Sequence, residues 1–266
     1  MAEYRTHVLV CAGAGCVSSN CKAVEAALQD ELEQVGLAEE VKVVETGCIG
    51  TCDLGPVMVV YPEGVFYQKL TPDDAREIVN EHFLKGRIVR RLLYKAPQSE
   101  ELVERAEDMD FFRRQYRIAL RNTGVINPEV IEEYIARDGY AALGKVLSEM
   151  SQEQVIDEIK KSCLRGRGGA GFPTGLKWEF TYKAPGEEKY VVCNADEGDP
   201  GAFMDRSILE GDPHTLIEAM AIAGYAVGAR QGFVYVRAEY PLAVERLSMA
   251  LEQARSYGLL GENIFG

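Results

Sequence analysis

The sequence has no run of about eighteen apolar residues, so no helical membrane span is expected anywhere along it. Its opening residues, Met1-Ala2-Glu3-Tyr4-Arg5-Thr6, lack the apolar core of a secretory signal, and the chain reads as cytoplasmic. Positive charge is scarce: 29 Lys and Arg stand against 42 Asp and Glu, a net charge of −13. That balance disfavours nucleic acid as a partner and bears mainly on solubility. Disulfides are not expected either, because the seven cysteines occur in a chain without an export signal. What is present suffices for a folded core: 47% of the residues are hydrophobic, and 266 residues make two domains the default expectation.

Five of the seven cysteines fall in the first fifth of the chain: Cys11, Cys16, Cys21, Cys48 and Cys52. His7-Val8-Leu9-Val10 reads as a short strand running into Cys11. A glycine-rich turn follows, then a helix from about Lys22 to Val35 with Val24, Ala27, Leu28, Leu32 and Val35 on one face. Val41-Lys42-Val43-Val44 is a second strand ending at Thr46-Gly47-Cys48. Residues 57–61 and 65–67 pair as a hairpin around Pro62-Glu63-Gly64. Thr71-Pro72-Asp73-Asp74 predicts a helix start with an N-cap, a proline at the first helical position and acids in the first turn. The order β-α-β-β-β-α makes a small α/β domain with both cysteine groups in loops at strand ends. Four thiolates from two neighbouring loops suit an iron–sulfur cluster or zinc. Structural zinc prefers pairs two residues apart, so the wider spacing here leans toward a cluster.

The second concentration of unusual chemistry is Arg165-Gly166-Arg167-Gly168-Gly169-Ala170-Gly171-Phe172-Pro173-Thr174-Gly175-Leu176-Lys177-Trp178. Backbone N–H groups without side chains, beside fixed cations, form a cradle for a phosphate. The loop also satisfies G-x-G-x-x-G, but a dinucleotide fingerprint follows a strand. Here Ser151-Gln152-Glu153-Gln154 is a capping box and Val155, Ile156 and Ile159 recur at helical spacing, so this loop follows a helix. Further on, Tyr190-Val191-Val192-Cys193 reads as a buried strand delivering Asn194-Ala195-Asp196-Glu197-Gly198-Asp199-Pro200-Gly201 at its C-terminal end. Such an end is a ligand site in an α/β sheet. Residues 221–228 read as a small-residue helix and 233–240 as a strand with polar groups at its exit. Asn127-Pro128-Glu129 is expected to cap a helix carrying Val130, Ile131, Tyr134 and Ile135, with another near residues 141–150.

The motifs carry a resemblance. Val10-Cys11-Ala12-Gly13-Ala14-Gly15-Cys16 with Thr46-Gly47-Cys48-Ile49-Gly50-Thr51-Cys52 makes residues 7–85 resemble the thioredoxin-like [2Fe–2S] ferredoxin domain of the small complex I electron-transfer subunit and related hydrogenases. The glycine loop through Trp178, residues 193–206 and residues 235–240 make residues 111–266 resemble the start of the NADH-oxidising flavoprotein subunit of complex I. They resemble in particular the beta subunits of NAD-dependent, electron-bifurcating hydrogenases and allied formate dehydrogenases. The implied fold class is α/β. Residues 1–85 form a thioredoxin-like ferredoxin domain, 86–110 a charged solvated linker with partial helix, and 111–266 the N-terminal part of an α/β FMN- and NADH-binding domain.

The resemblance implies Cys11, Cys16, Cys48 and Cys52 as [2Fe–2S] ligands, with Cys21 an alternative to Cys16. It implies FMN on Gly166, Arg167, Gly168, Lys177, Asn194, Asp196, Tyr235 and Glu239. NAD(H) would lie against Phe172, Phe180 and Phe265, with Glu197 and Asp199 near its nicotinamide and ribose. No acid or base is needed, since hydride passes directly between nicotinamide and flavin. The implied partners are a catalytic hydrogenase or formate dehydrogenase subunit and a small [2Fe–2S] subunit, with a soluble ferredoxin as a further candidate. Family members continue past Gly266, so the [4Fe–4S] clusters are expected outside this chain. Two other readings stay open: an electron-carrier or docking piece with a working cluster but no flavin turnover, and a zinc-stabilised interaction module.

Overall fold

The structure, a computed structural model, describes residues 4–96 and 101–266. Met1 to Glu3 of the N-terminus and Glu100 of the expected linker lie outside the described residues. The chain divides into two compact units, residues 1–127 and 128–266.

In the first unit β1 (Thr6–Cys11) leads through α1 (Ala14–Ser18) to α2 (Cys21–Gln34) and β2 (Val41–Thr46). Then come β3 (Met58–Tyr61), β4 (Val65–Tyr67) and α3 (Asp74–Ile78), which runs on into a π-helical turn at Val79–Phe83. The sheet order is β2-β1-β3-β4. β1 is parallel to β2, with Val8 opposite Val43, and antiparallel to β3, with Leu9 opposite Val59. The α2 face of Cys21, Val24, Leu28 and Leu32 is buried with Val8, Val10, Met58 and Phe66, as the helical spacing requires. The α3 start differs from expectation. The N–H and hydroxyl of Thr71 both donate to Asp74 Oδ2, at 2.7 and 2.8 Å, so a tight turn precedes a helix that begins only at Asp74.

The described residues of 86–110 are not the solvated linker expected. A 3-10 turn at Arg90–Leu92 is followed by a short antiparallel pair, β5 (Tyr94–Lys95) and β6 (Leu102–Val103). Tyr67 bridges Leu93 and Val65 bridges Arg105, so this stretch covers the edge strand β4. Val89, Leu92, Leu93 and Met109 are buried in the first unit's core. The unit continues through α4 (Asp110–Arg113) to Asn127.

The second unit comprises α5 (Ile131–Ile135), α6 (Ala141–Glu149), α7 (Gln152–Lys161), α8 (Thr174–Lys183), β7 (Tyr190–Ala195), α9 (Met204–Gly211), α10 (Pro213–Val227), β8 (Gln231–Val236) and α11 (Pro241–Ser256). The Ser151 capping box is formed in full, and α7 and α8 flank the glycine loop. The Asn127-Pro128 helix starts late, at Ile131, and the strand expected to reach Tyr240 ends at Val236. β7 and β8 pair in parallel, with Asn194 opposite Tyr235. Their expected burial is not observed. Val192 is 65% exposed, and Tyr190, Phe233 and Tyr235 are also exposed, because among the described residues this sheet has two strands. Buried instead is a polar cluster. Glu218 accepts from Tyr134 Oη (2.5 Å) and from the N–H groups of Tyr140 and Leu143 (2.9 and 3.0 Å). No helix among the described residues is long and apolar enough to cross a membrane.

Candidate redox sites

The cysteine site is built from two strand ends. Cys11 closes β1, Cys16 lies in α1, Cys48 follows β2, and Cys52 opens a 3-10 turn, Cys52–Leu54. Their sulfurs act on one another's ionisation in the order Cys16–Cys11–Cys48–Cys52. Backbone N–H groups point at the same sulfurs: Ile49 N lies 3.5 Å from Cys11 Sγ, Val57 N–H serves Cys16 and Gly50 N–H serves Cys48. Three glycines make room. A Cβ on Gly13 would come within 2.9 Å of Cys48 Sγ, one on Gly15 within 3.3 Å of Cys52 Sγ, and one on Gly55 within 3.0 Å of Cys16 Sγ. The sequence reading passed over these glycines as ligand-packing residues, although two of them lie between the first two cysteines.

As thiols these groups resist ionisation together. The Cys11 thiol is pushed up to about 12, first by its bond to the Cys16 sulfur and then by burial, and Cys48 is pushed up by its bond to Cys11 and by burial. Only Cys16 is lowered, because Cys11 donates to it. A cationic core bound by all four would remove that penalty, since coordination deprotonates a thiol outright. The donor set therefore fits an iron–sulfur cluster. Among the described residues no three His, Cys, Asp or Glu side chains surround one position as ligands of a single metal ion would. Cys21 is buried at the start of α2, acts on Cys16 only through space, and is not in the chain of sulfur contacts.

The glycine loop projects between α7 and α8. Gly166 N donates to Phe172 O (2.8 Å), Thr174 N to Leu164 O (2.9 Å) and Arg165 Nη1 to Gly171 O (3.1 Å), closing its neck. At Gly168, Gly169 and Gly171 an added Cβ would meet nothing within 4 Å, so the tip is an open bed of backbone. Arg167 and Lys177 are exposed beside it, which fits the phosphate of an FMN. Gly175 does something else: a Cβ there would stand 2.7 Å from Lys160 N, so this glycine lets α8 approach α7. The Phe172 and Phe180 rings lie 6.4 Å apart, tilted and exposed. Phe265 is not with them. Its ring faces Gly144 of α6, where an added Cβ would be 3.6 Å from Cζ.

The strand-end loops form a third group. Parallel register brings Asn194 and Tyr235 side by side, with Asp196 and Glu239 following them. Asn194 Oδ1 accepts from Asp196 N (3.0 Å), and Arg237 pairs with Glu239 at 3.3 Å. The Asp199 carbonyl accepts from Ala202 N (3.1 Å). Glu197, expected near a nicotinamide, is turned inward. Its two carboxylate oxygens accept from Met204 N (2.6 Å), Asp205 N (3.2 Å) and Arg206 N (3.3 Å) at the start of α9. Its carbonyl accepts from Arg237 Nη1 (2.6 Å), tying the end of β7 to that of β8. This brace spans seven to nine residues, and no local sequence pattern encodes it.

Comparison with known proteins covers both units. Residues 2–82 match the thioredoxin-like [2Fe-2S] ferredoxin family, and residues 159–264 match the Nuo51 FMN-binding domain. The NADP-reducing hydrogenase subunit HndC of Solidesulfovibrio fructosivorans is 62% identical over 154 residues, 58% of this chain and 31% of that protein. The NAD-reducing hydrogenase HoxS subunit alpha of Cupriavidus necator is 36% identical over 222 residues, 84% of this chain and 34% of that protein. A solved thioredoxin-like [2Fe-2S] ferredoxin from Aquifex aeolicus is 31% identical, covering 35% of this chain and 99% of its own, at a TM-score of 0.33. The chain spans about a third of the length of the curated relatives it matches.

Proposed function

We propose that this chain, whose residues 2–82 belong to the thioredoxin-like [2Fe–2S] ferredoxin family and whose residues 159–264 belong to the Nuo51 FMN-binding domain family, is part of an NAD(P)H-oxidising flavoprotein subunit of a multi-subunit oxidoreductase. The observation that carries the reading is the group of four cysteines at two strand ends, packed by Gly13, Gly15 and Gly55, in the same chain as an open glycine loop flanked by cations. When bound, FMN would accept hydride from the nicotinamide and release single electrons, and a [2Fe–2S] cluster would carry them one at a time.

The chain's own residues then bind and orient. Gly166, Gly168 and the exposed Arg167 and Lys177 would hold the phosphate, and Asn194, Asp196, Tyr235 and Glu239 would flank the flavin at the strand ends. Phe172 and Phe180 offer faces to an adenine, and Asp199 can hold ribose hydroxyls. Glu197 serves as a positioning residue, fixing the loop between β7 and α9 from behind. Cys11, Cys16, Cys48 and Cys52 would ligate the cluster. Service to a hydrogenase rather than a quinone reductase is favoured by the similarity to HndC and HoxS, and division of electrons between two acceptors belongs to the same proposal.

The test is low-temperature EPR of anaerobically purified chain before and after dithionite, with FMN binding followed by quenching of flavin fluorescence. A single [2Fe–2S]⁺ spin per chain and saturable quenching are expected, with the Arg167→Ala/Lys177→Ala double variant binding FMN at least about tenfold more weakly. An EPR-silent sample holding stoichiometric zinc would overturn the reading in favour of a structural module. The exposed face of β7–β8 favours a second reading, in which the cluster works and the flavin region only docks. A full cluster spin without FMN binding would establish it.

A further inference from the structure

Thr51 stands between the two cysteines of the second loop, three residues after Cys48 and one before Cys52. Its backbone is fixed by the 3-10 turn that it opens. Leu54 N donates to Thr51 O (2.9 Å), and Gly55 N donates to Cys52 O (3.2 Å). The residue as a whole is partly exposed, yet its hydroxyl oxygen is shielded from water. The hydroxyl is therefore turned into the loop. Thr51 occupies the N-terminal cap position of the turn, but its side chain does not cap it. Among the described residues this hydroxyl finds no hydrogen-bond partner.

Neighbouring groups are engaged. The buried Thr46 Oγ1 accepts from Gly124 N (3.2 Å). Ile49 N lies 3.5 Å from Cys11 Sγ, and the N–H groups of Gly50 and Val57 act on Cys48 and Cys16. A buried hydroxyl left unpaired destabilises a fold, and native proteins keep few of them. A β-branched side chain is also stiff about its first torsion, so the hydroxyl does not swing freely out to water. Valine would fill the same volume without that cost, so packing alone does not explain a threonine here. None of the chain's own sulfurs accepts from the hydroxyl among the described residues. The acceptor that fits is a sulfur that a cluster brings with it, an inorganic sulfide.

We propose that Thr51 tunes the redox centre, donating its hydroxyl proton to a sulfide of the cluster held by Cys11, Cys16, Cys48 and Cys52. The inference rests on the reading of those cysteines as a cluster site. Reduction adds one electron and one negative charge to the centre. No bond breaks, and the proton stays on Thr51. A donor directed at sulfur favours the more negative state, so the hydroxyl raises the potential at which the centre is reduced.

The experiment is a dithionite redox titration of the cluster-loaded full chain, followed by EPR, for wild type, Thr51→Val, Thr51→Ala and Thr51→Ser. Potentials are compared per loaded cluster, as fixed by iron content and spin count. Valine and alanine are expected to shift the equilibrium toward the oxidised centre roughly tenfold, about 59 mV for one electron, with serine near wild type. Alanine removes the hydroxyl without the bulk of valine, so a loading defect in one leaves the other to decide. Pulsed EPR after brief exchange into D2O should show a strongly coupled deuteron in wild type and in Thr51→Ser that the other two variants lack. In the cluster-free chain Thr51→Val should melt no lower than wild type, because the hydroxyl has no bond there to lose. A lower melting temperature in that state would overturn the proposal by giving the hydroxyl a structural role. Equal potentials in all four proteins, each carrying a [2Fe–2S]⁺ spin, would overturn the tuning role and leave the cluster reading intact. A wild-type chain that loads zinc and no iron would overturn both.

Discussion

At the scale of single residues, the two units share a device, a buried imidazole beside a tyrosine hydroxyl. Tyr67 Oη accepts from Val89 N (3.0 Å) and so turns its proton toward His82 Nδ1 (3.0 Å). Tyr140 Oη and His214 Nδ1 are 2.8 Å apart, while His214 Nε2 faces Gln253 Oε1 at 3.0 Å. Both arrangements need the proton on Nε2. Burial holds both histidines below their ordinary range. The unfolded chain therefore binds these protons first, at pH values near 6.5, and native stability falls as pH drops below that value toward the depressed native pKa values. Each unit of depression is worth about 1.4 kcal/mol. Thermal melts between pH 7.5 and 5 should show the loss, and His82→Gln should flatten the curve of the first unit.

Glu197 gives a second residue-scale prediction. Glu197→Ala removes the acceptor for three N–H groups of α9 and should cost about 1–2 kcal/mol, read as a lower melting temperature of the second unit. A carboxylate free to face a ligand would show no such loss.

Elements differ in how far the sequence reveals them. The Ser151 capping box, the α2 stripe and the strands of the first sheet were legible because their signals are local and periodic. Residues 86–110 were misread because their buried members, Leu92, Leu93 and Met109, are scattered among arginines and glutamates without a period. Their order comes from pairing with β4, which no local window contains. Leu93→Ala should therefore destabilise the first unit by about 2–5 kcal/mol in chemical denaturation, where a linker residue would give none. Of the site, the cysteines and the glycine loop were visible as composition. The inward turn of Glu197, the removal of Phe265 to α6 and the packing role of Gly175 were not, since each depends on an element distant in sequence. Gly175→Ala should push α8 from α7 and cost about 1–3 kcal/mol through overpacking.

For the whole molecule, two units with different chemistry share one acidic chain. The acidic excess keeps copies of the chain mutually repulsive. The β7–β8 pair works against that repulsion. Val192, Tyr190, Phe233 and Tyr235 present an apolar strand surface to water, on a sheet that has two strands among the described residues. Such a surface is a template for strand addition. Its colloidal consequence is a chain that scatters light increasingly with concentration, a tendency that a lysine at Val192 should suppress and that high salt, by screening the −13 charge, should worsen.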